Sequence, residues 1–141
     1  MSFRKLLPVL ALTTLAAPAL ANDLKPGLWE STKYLEGEGL PAELTEKKTV
    51  KQCLSADETS DIAALMEQKW NEINCQDIDI QRNGKVIEGQ AACKMGPRTT
   101  QVETTVTLHS DQHYTMKTVM TNEGQAIAHA ERKWLQADCE N

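Results

Sequence analysis

The sequence is short of nearly every signature that would name a chemistry. It has no G-x-S-x-G elbow, which excludes a serine nucleophile of that strand-turn-helix kind, and no glycine-rich loop to cradle a phosphate. It has no H-E-x-x-H helix and no C-x2-C pair, so the usual zinc-ligand spacings are missing. No internal repeat, low-complexity run or linker-like block follows residue 22. No apolar run approaches the roughly 20 residues that an integral membrane span requires.

What is present begins with Met1 to Ala21. Arg4 and Lys5 precede the apolar stretch Leu6 to Leu15, and Ala19-Leu20-Ala21 fits the A-x-A cleavage rule. A signal peptide over 1–21 is expected, cut after Ala21, with one domain over 22–141 delivered to the periplasm. Thr13, Thr14 and Pro18 interrupt the leader as a membrane anchor, and no cysteine follows the cut to take a lipid. Two of the fifteen cations, Arg4 and Lys5, go with the leader, so the mature chain carries 13 Lys+Arg against 20 Asp+Glu, a net charge of −7. That sign argues against nucleic acid, whose affinity rests on cations meeting phosphates, and gives no help toward anionic lipid surfaces.

Periodicity sets the fold class. Leu28 to Tyr34 and Lys47 to Leu54 read as strands separated by a loop at Glu36 to Pro41. Ser55 and Glu58 form a capping box that opens a helix running to Trp70, and Ile62, Leu65, Met66, Trp70 and Ile73 make its apolar stripe. Two-residue alternation then takes over. Cys75 to Arg82 and Lys85 to Cys93 flank an Asn83-Gly84 hairpin turn, and strands around Val102 to Leu108, Tyr114 to Met120 and Gln125 to Leu135 follow turns near Ser110-Asp111 and Asn122-Glu123-Gly124. Short connections require antiparallel neighbours. The expected class is α+β: a curved, mainly antiparallel sheet of about seven strands packed on one helix, with the extent of closure toward a partial barrel left open.

Four cysteines, Cys53, Cys75, Cys93 and Cys139, all follow the leader, and an even count in an exported chain reads as two disulfides. Gaps of 22, 18 and 46 residues do not suit a tetrathiolate metal site. A two-residue Asn83-Gly84 loop pairs Ile80 with Ile87 and leaves Cys75 one residue out of step with Cys93, which a bulge at Gly89 or Gln90 would repair. This favours Cys75 with Cys93, on the outside of the hairpin, and by elimination Cys53 with Cys139. The other two connectivities stay open.

No residue is nominated as catalytic and none as a metal ligand. His109, His113 and His129 read as scattered surface histidines, and Asp77 and Asp79 as solvated strand carboxylates, the glycine of a calcium loop being two places late. The last strand carries the one hint of a site: Ala126, Ala128 and Ala130 share a face ahead of Arg132 and Trp134. A row of methyls leaves room above a sheet for a small apolar ligand, with Tyr114, Met116 and Met120 as walls and Trp29 and Trp134 at the ends. The simpler reading is that the helix packs closely on those alanines.

The stretches KPGLWE at Lys25 to Glu30, CLSADE at Cys53 to Glu58 and WLQADC at Trp134 to Cys139 resemble the exported bacterial family catalogued as domain of unknown function 3617. The resemblance implies a periplasmic home and transfers no activity, cofactor or site residue. Within the opening motif, Pro26-Gly27 suits a type II turn, and Trp29 reads as a plug for the open end of the sheet or, alternatively, as a ligand-stacking ring. The expected function is a non-enzymatic binding module for a small apolar ligand or an envelope protein. An envelope hydrolase or isomerase using dispersed Asp, Glu and His, and a purely structural interaction protein, are the rivals.

Overall fold

The computed structural model describes residues 22–140; the expected leader and its cleavage site lie outside them. Seven strands and three helices follow in the order β1 (Gly27–Gly37), α1 (Ala42–Thr45), β2 (Lys48–Leu54), α2 (Ala56–Ser60), α3 (Ile62–Glu72), β3 (Gln76–Asn83), β4 (Val86–Met95), β5 (Arg98–Ser110), β6 (His113–Thr121) and β7 (Gln125–Gln136). The strands form one antiparallel sheet in the order β2-β1-β7-β6-β5-β4-β3, curled but not closed. β3 to β7 are a meander of short turns, whereas β1 is added beside β7 across most of the chain, from Trp29 opposite Trp134 to Gly37 opposite Ala126. The segment from β2 to β3 therefore links the two open edges, and its helices lie against the concave side.

The expected single helix is two. The capping box holds: Glu58 N–H donates to Ser55 Oγ and Ser55 N–H to Glu58 Oε2. Asp61, however, is extended (φ −145°, ψ 102°) and caps a fresh helix by accepting from Ala64 N–H at 3.1 Å. The break is stabilised from outside, because Asp23 and Leu24 donate their backbone N–H groups to the freed Ser60 and Thr59 carbonyls. The Asp23 carboxylate also accepts from Ile62 N–H and forms a two-pronged ion pair with Arg82 at 2.7 and 2.8 Å. Burial opposes the charge on Asp23, but its hydrogen bonds from Arg82 and Ile62 and the attraction of Arg82 outweigh it and hold the carboxyl below its ordinary value of 3.8.

The core gathers Trp29 from β1, Leu54 from β2, Ile62 and Met66 from α3, and Ile87, Val106, Leu108 and Tyr114 from the meander. Trp29 is wholly buried, donates Nε1–H to the Lys25 carbonyl at 3.0 Å and meets the Tyr114 ring edge-on at 5.6 Å. It pins the N-terminal segment and is not exposed to a ligand. No type II turn precedes it: Gly27 opens β1 with φ 136°, and a Cβ there would collide with the Gln136 carbonyl. Ile73, expected on the apolar stripe, is 55% exposed past the end of α3.

Both expected disulfides are present, Cys53–Cys139 and Cys75–Cys93. The route to the second differs from the expectation. The hairpin loop is Gly84-Lys85, with Asn83 paired to Val86 and positive φ at Gly84 alone, so the register begins one residue later. The compensating irregularity lies on β3, between Gln76 and Asp79, where Asp77 takes φ 53°. Since β4 carries no bulge, its odd residues Ile87, Gly89, Ala91 and Cys93 stay on one face throughout. The Cys75–Cys93 bridge is consequently buried inside with Ala91 and Val102, beneath Trp70, rather than on the outside of the hairpin.

Candidate functional site

The concave face can be read as rows running across the strands, because register partners share a face. One row is Val50, Ser31, Arg132, Tyr114 and Leu108; the next is Lys48, Lys33, Ala130, Met116, Val106 and Ile87; the next is Leu35, Ala128, Thr118, Thr104 and Gly89. α3 lies over β3 and β4, at the far end of these rows from the alanines. It approaches at Gly89, where an added Cβ would stand 2.7 Å from Met66 Cε and 2.9 Å from Trp70 Cη2. The small residue that admits the helix is thus Gly89, and the expected close packing of the helix on Ala126, Ala128 and Ala130 does not occur.

Two cavities open on this face. The first, about 480 Å³, lies over Ala128 and Ala130 and is bounded by Leu35, Val50 and Met116, with Leu44 of α1 overhanging it. The second, about 390 Å³, runs from Met116 and Met120 under Leu65, Met66 and Trp70. Met116, Thr118 and Arg132 border both. Of the five large apolar side chains left exposed among the described residues, Leu44 and Val50 edge the first cavity and Ile73 and Met95 the second, so uncovered apolar surface is concentrated at their mouths.

The eight sequence-nominated residues separate accordingly. Met116, Ala128 and Ala130 line the first cavity, and Tyr114, Met116 and Met120 the second. Ala126 shares the face opposite Met120 but borders neither. Trp29 is core, and Trp134 packs on the core with Nε1–H donated to the Pro26 carbonyl and Lys25 Nζ 5.1 Å from its ring centre. Leu35, Val50, Leu44 and Lys33 were missed, because their place depends on strands paired across about a hundred residues. Arg132 carried a signal: it continues the two-residue series of Ala126, Ala128 and Ala130 onto the same face.

Arg132 is the principal charged group of the concave face. Its Nη1–H donates to the Tyr114 hydroxyl at 2.6 Å, its guanidinium carbon lies 5.5 Å from the Tyr114 ring centre, and its buried Nε has no partner. Beside it in the row, Ser31 is fully buried with its Oγ also unpartnered. No carboxylate pairs with Arg132, Lys33 or Lys48 among the described residues. Burial raises the Tyr114 pKa, with the charge and hydrogen bond of Arg132 pulling the other way, so the hydroxyl keeps its proton at neutral pH. By contrast Thr104 and Thr118, two rows further on, satisfy each other at 2.9 Å.

The histidines occupy the convex face. His129 stacks on Tyr34 at 4.6 Å and reaches Glu36 at 3.0 Å, opposite Lys117 as antiparallel register requires. His109 and His113 do converge, contrary to expectation: their rings stack at 4.6 Å, with His113 Nε2 3.0 Å from Glu131. The hydrogen bond with His113, assisted by Lys133, holds the Glu131 carboxyl below its ordinary value. Among the described residues no group of three His, Cys, Asp or Glu side chains is arranged to hold a metal ion, and no helix is long and apolar enough to cross a membrane.

Neither a curated protein nor a solved structure matches the chain. A family model does, over residues 24–139, which takes in the opening Trp29 strand, both disulfides and the whole sheet. The chain belongs to the family described as protein of unknown function (DUF3617).

Proposed function

We propose that the protein is an exported, periplasmic binding module that takes a small apolar or amphipathic ligand into the concave cavity over Ala128 and Ala130, and acts by binding rather than by turnover. The observation that carries this reading is the uncovered alanine row: a cavity of about 480 Å³ is walled by Leu35, Val50, Met116 and the two alanines, where a helix was expected to fill the space. That volume falls in the range of small-molecule sites, which are mostly apolar with a few placed polar groups. Met116, which borders both cavities, supplies an adaptable wall. The imidazoles of His109 and His113 face the other side of the sheet, and His129, which borders the first cavity, turns its ring to that side to stack on Tyr34. Two disulfides suit an oxidising compartment.

Native mass spectrometry of the protein released from the periplasm without denaturation tests the reading. The expected result is a chain beginning at Asn22 with a discrete bound mass that is lost on unfolding and absent from Ala128→Leu. Recovery of the chain at its own mass, together with failure to bind anilinonaphthalene sulfonate in the cavity, would overturn it.

A further inference from the structure

Among the described residues Arg132 is a cation without a counter-charge set within an apolar surface, and its geometry specifies what it can receive. Arg132 sits at the junction of the two cavities, bordering both. Its Nη1 is taken by the Tyr114 hydroxyl, while Nε is buried and unpartnered. In a planar guanidinium the N–H groups of Nε and Nη2 point in parallel from one edge. That edge matches the two oxygens of a carboxylate, a pairing that adds direction to charge.

Four neighbours strengthen the case. Ser31, register partner of Arg132, is 0% exposed with an Oγ that has no hydrogen bond, and a buried hydroxyl left unmatched costs roughly 1–3 kcal/mol. Tyr114 accepts from Arg132 and so keeps its own O–H free to donate. Lys33 and Lys48 stand opposite each other at the mouth of the first cavity, adding positive potential there, offset in part by Glu43 of α1 and Glu46 just after it. This cationic spot belongs to a chain with a formal net charge of −5, so it does not follow from overall composition.

We propose that Arg132 anchors the head of an anionic amphiphile, a monocarboxylate with an aliphatic tail. Its carboxylate lies on the Nε–Nη2 edge, on the side of Ser31, and its tail lies along Met116, Ala128 and Ala130 in the first cavity. This deepens the binding reading above and rests on it. The site selects for both parts: without the tail the apolar walls stay wet, and without the charge the arginine edge stays unpaired.

Calorimetric titration of the delipidated, oxidised protein with dodecanoate, dodecanol and acetate separates the claims. Wild type is expected to bind dodecanoate about 10-fold or more tighter than dodecanol, since a charge-assisted pair replaces a neutral contact, and to show no measurable binding of acetate. Arg132→Gln should remove the preference for dodecanoate while keeping the dodecanol affinity, which also reports an intact cavity. Ser31→Ala should weaken dodecanoate alone, by a smaller factor. In wild type the carboxyl of carboxyl-labelled dodecanoate should titrate by NMR at lower pH than in Arg132→Gln. Equal binding of dodecanoate and dodecanol by wild type, or an unchanged preference in Arg132→Gln, would overturn the head-group assignment and leave the cavity reading standing. Binding of neither amphiphile would overturn both. Acetate bound as tightly as dodecanoate would show an anion site with no amphiphile selectivity, and would also overturn the proposal.

Discussion

The two halves of one concave face have the same sequence pattern and opposite fates. Under α3, Ile87, Val106, Leu108 and Tyr114 pack with Ile62 and Met66 in the core, beside the second cavity. Toward β7, β1 and β2, the equally inward Ala130, Ala128, Leu35 and Val50 face open space, overhung by the four residues of α1, none of which is buried. The difference is set by connection and by size. The chain from β2 to β3 carries its longer helix to the edge where β3 begins, and Gly89 lets that helix settle closely. At the other end, among the described residues, only the four-residue α1 is available. One half is therefore a core, whose stability depends on packing, and the other a receptacle, whose emptiness costs little because its alanines expose little apolar area.

The sharpest way to break this contrast is Trp29→Ala. Deleting the largest fully buried side chain should cost about 3–5 kcal/mol and pull the urea midpoint down accordingly, with the N-terminal segment losing hydrogen-exchange protection first. Gly89→Val should cost about 1–3 kcal/mol, because Met66 can yield but the rigid Trp70 ring cannot, so α3 must lift; near-ultraviolet circular dichroism should report the displaced tryptophan. A core-half substitution that left stability unchanged would show that α3 is not closely docked.

Asp23→Asn loosens the tie between the N-terminal segment, α3 and β3, and should cost about 1–2 kcal/mol at neutral pH. Its pH dependence follows from the sign of the shift. A carboxyl held below its unfolded value contributes its full stabilisation above about pH 3.8 and loses it as pH falls through the folded value. The gap between wild type and Asp23→Asn should thus be constant from neutral pH down to about 4 and close on further acidification, as read from denaturation midpoints against pH. The smallest expected change is Ala128→Leu in the open half. Stability should stay within about 0.5 kcal/mol of wild type while bound ligand is lost, the inverse of Gly89→Val on the same row.

Much of the fold was legible because its determinants are local. Ser55 and Glu58 cap a helix wherever the chain goes, and the Asn122-Glu123-Gly124 and Ser110-Asp111 turns join the strands they were expected to join. The hairpin around Gly84 was legible in kind but not in register. A one-residue shift of the loop moved the irregularity from β4 to β3 and turned the Cys75–Cys93 bridge inward, since side-chain direction reverses with every residue of register. The break at Asp61 was hidden because Asp23 and Leu24, which satisfy the freed groups, lie almost forty residues away.

The candidate site divides in the same way. The amino-acid order alone determined that Ala126, Ala128, Ala130 and Arg132 share a face, because extended backbone alternates its side chains without regard to context. It also determined, through capping and turn chemistry, where most elements begin and end. Only tertiary structure decided that β1 lies beside β7, that α3 covers β4 and leaves the alanines open, and that Arg132 stands between Ser31 and Tyr114 with an unpartnered edge. The physical reason is that a two-residue period specifies which side chains look the same way. What they look at depends on the competition among distant surfaces for cover, and that is resolved only when the chain is folded.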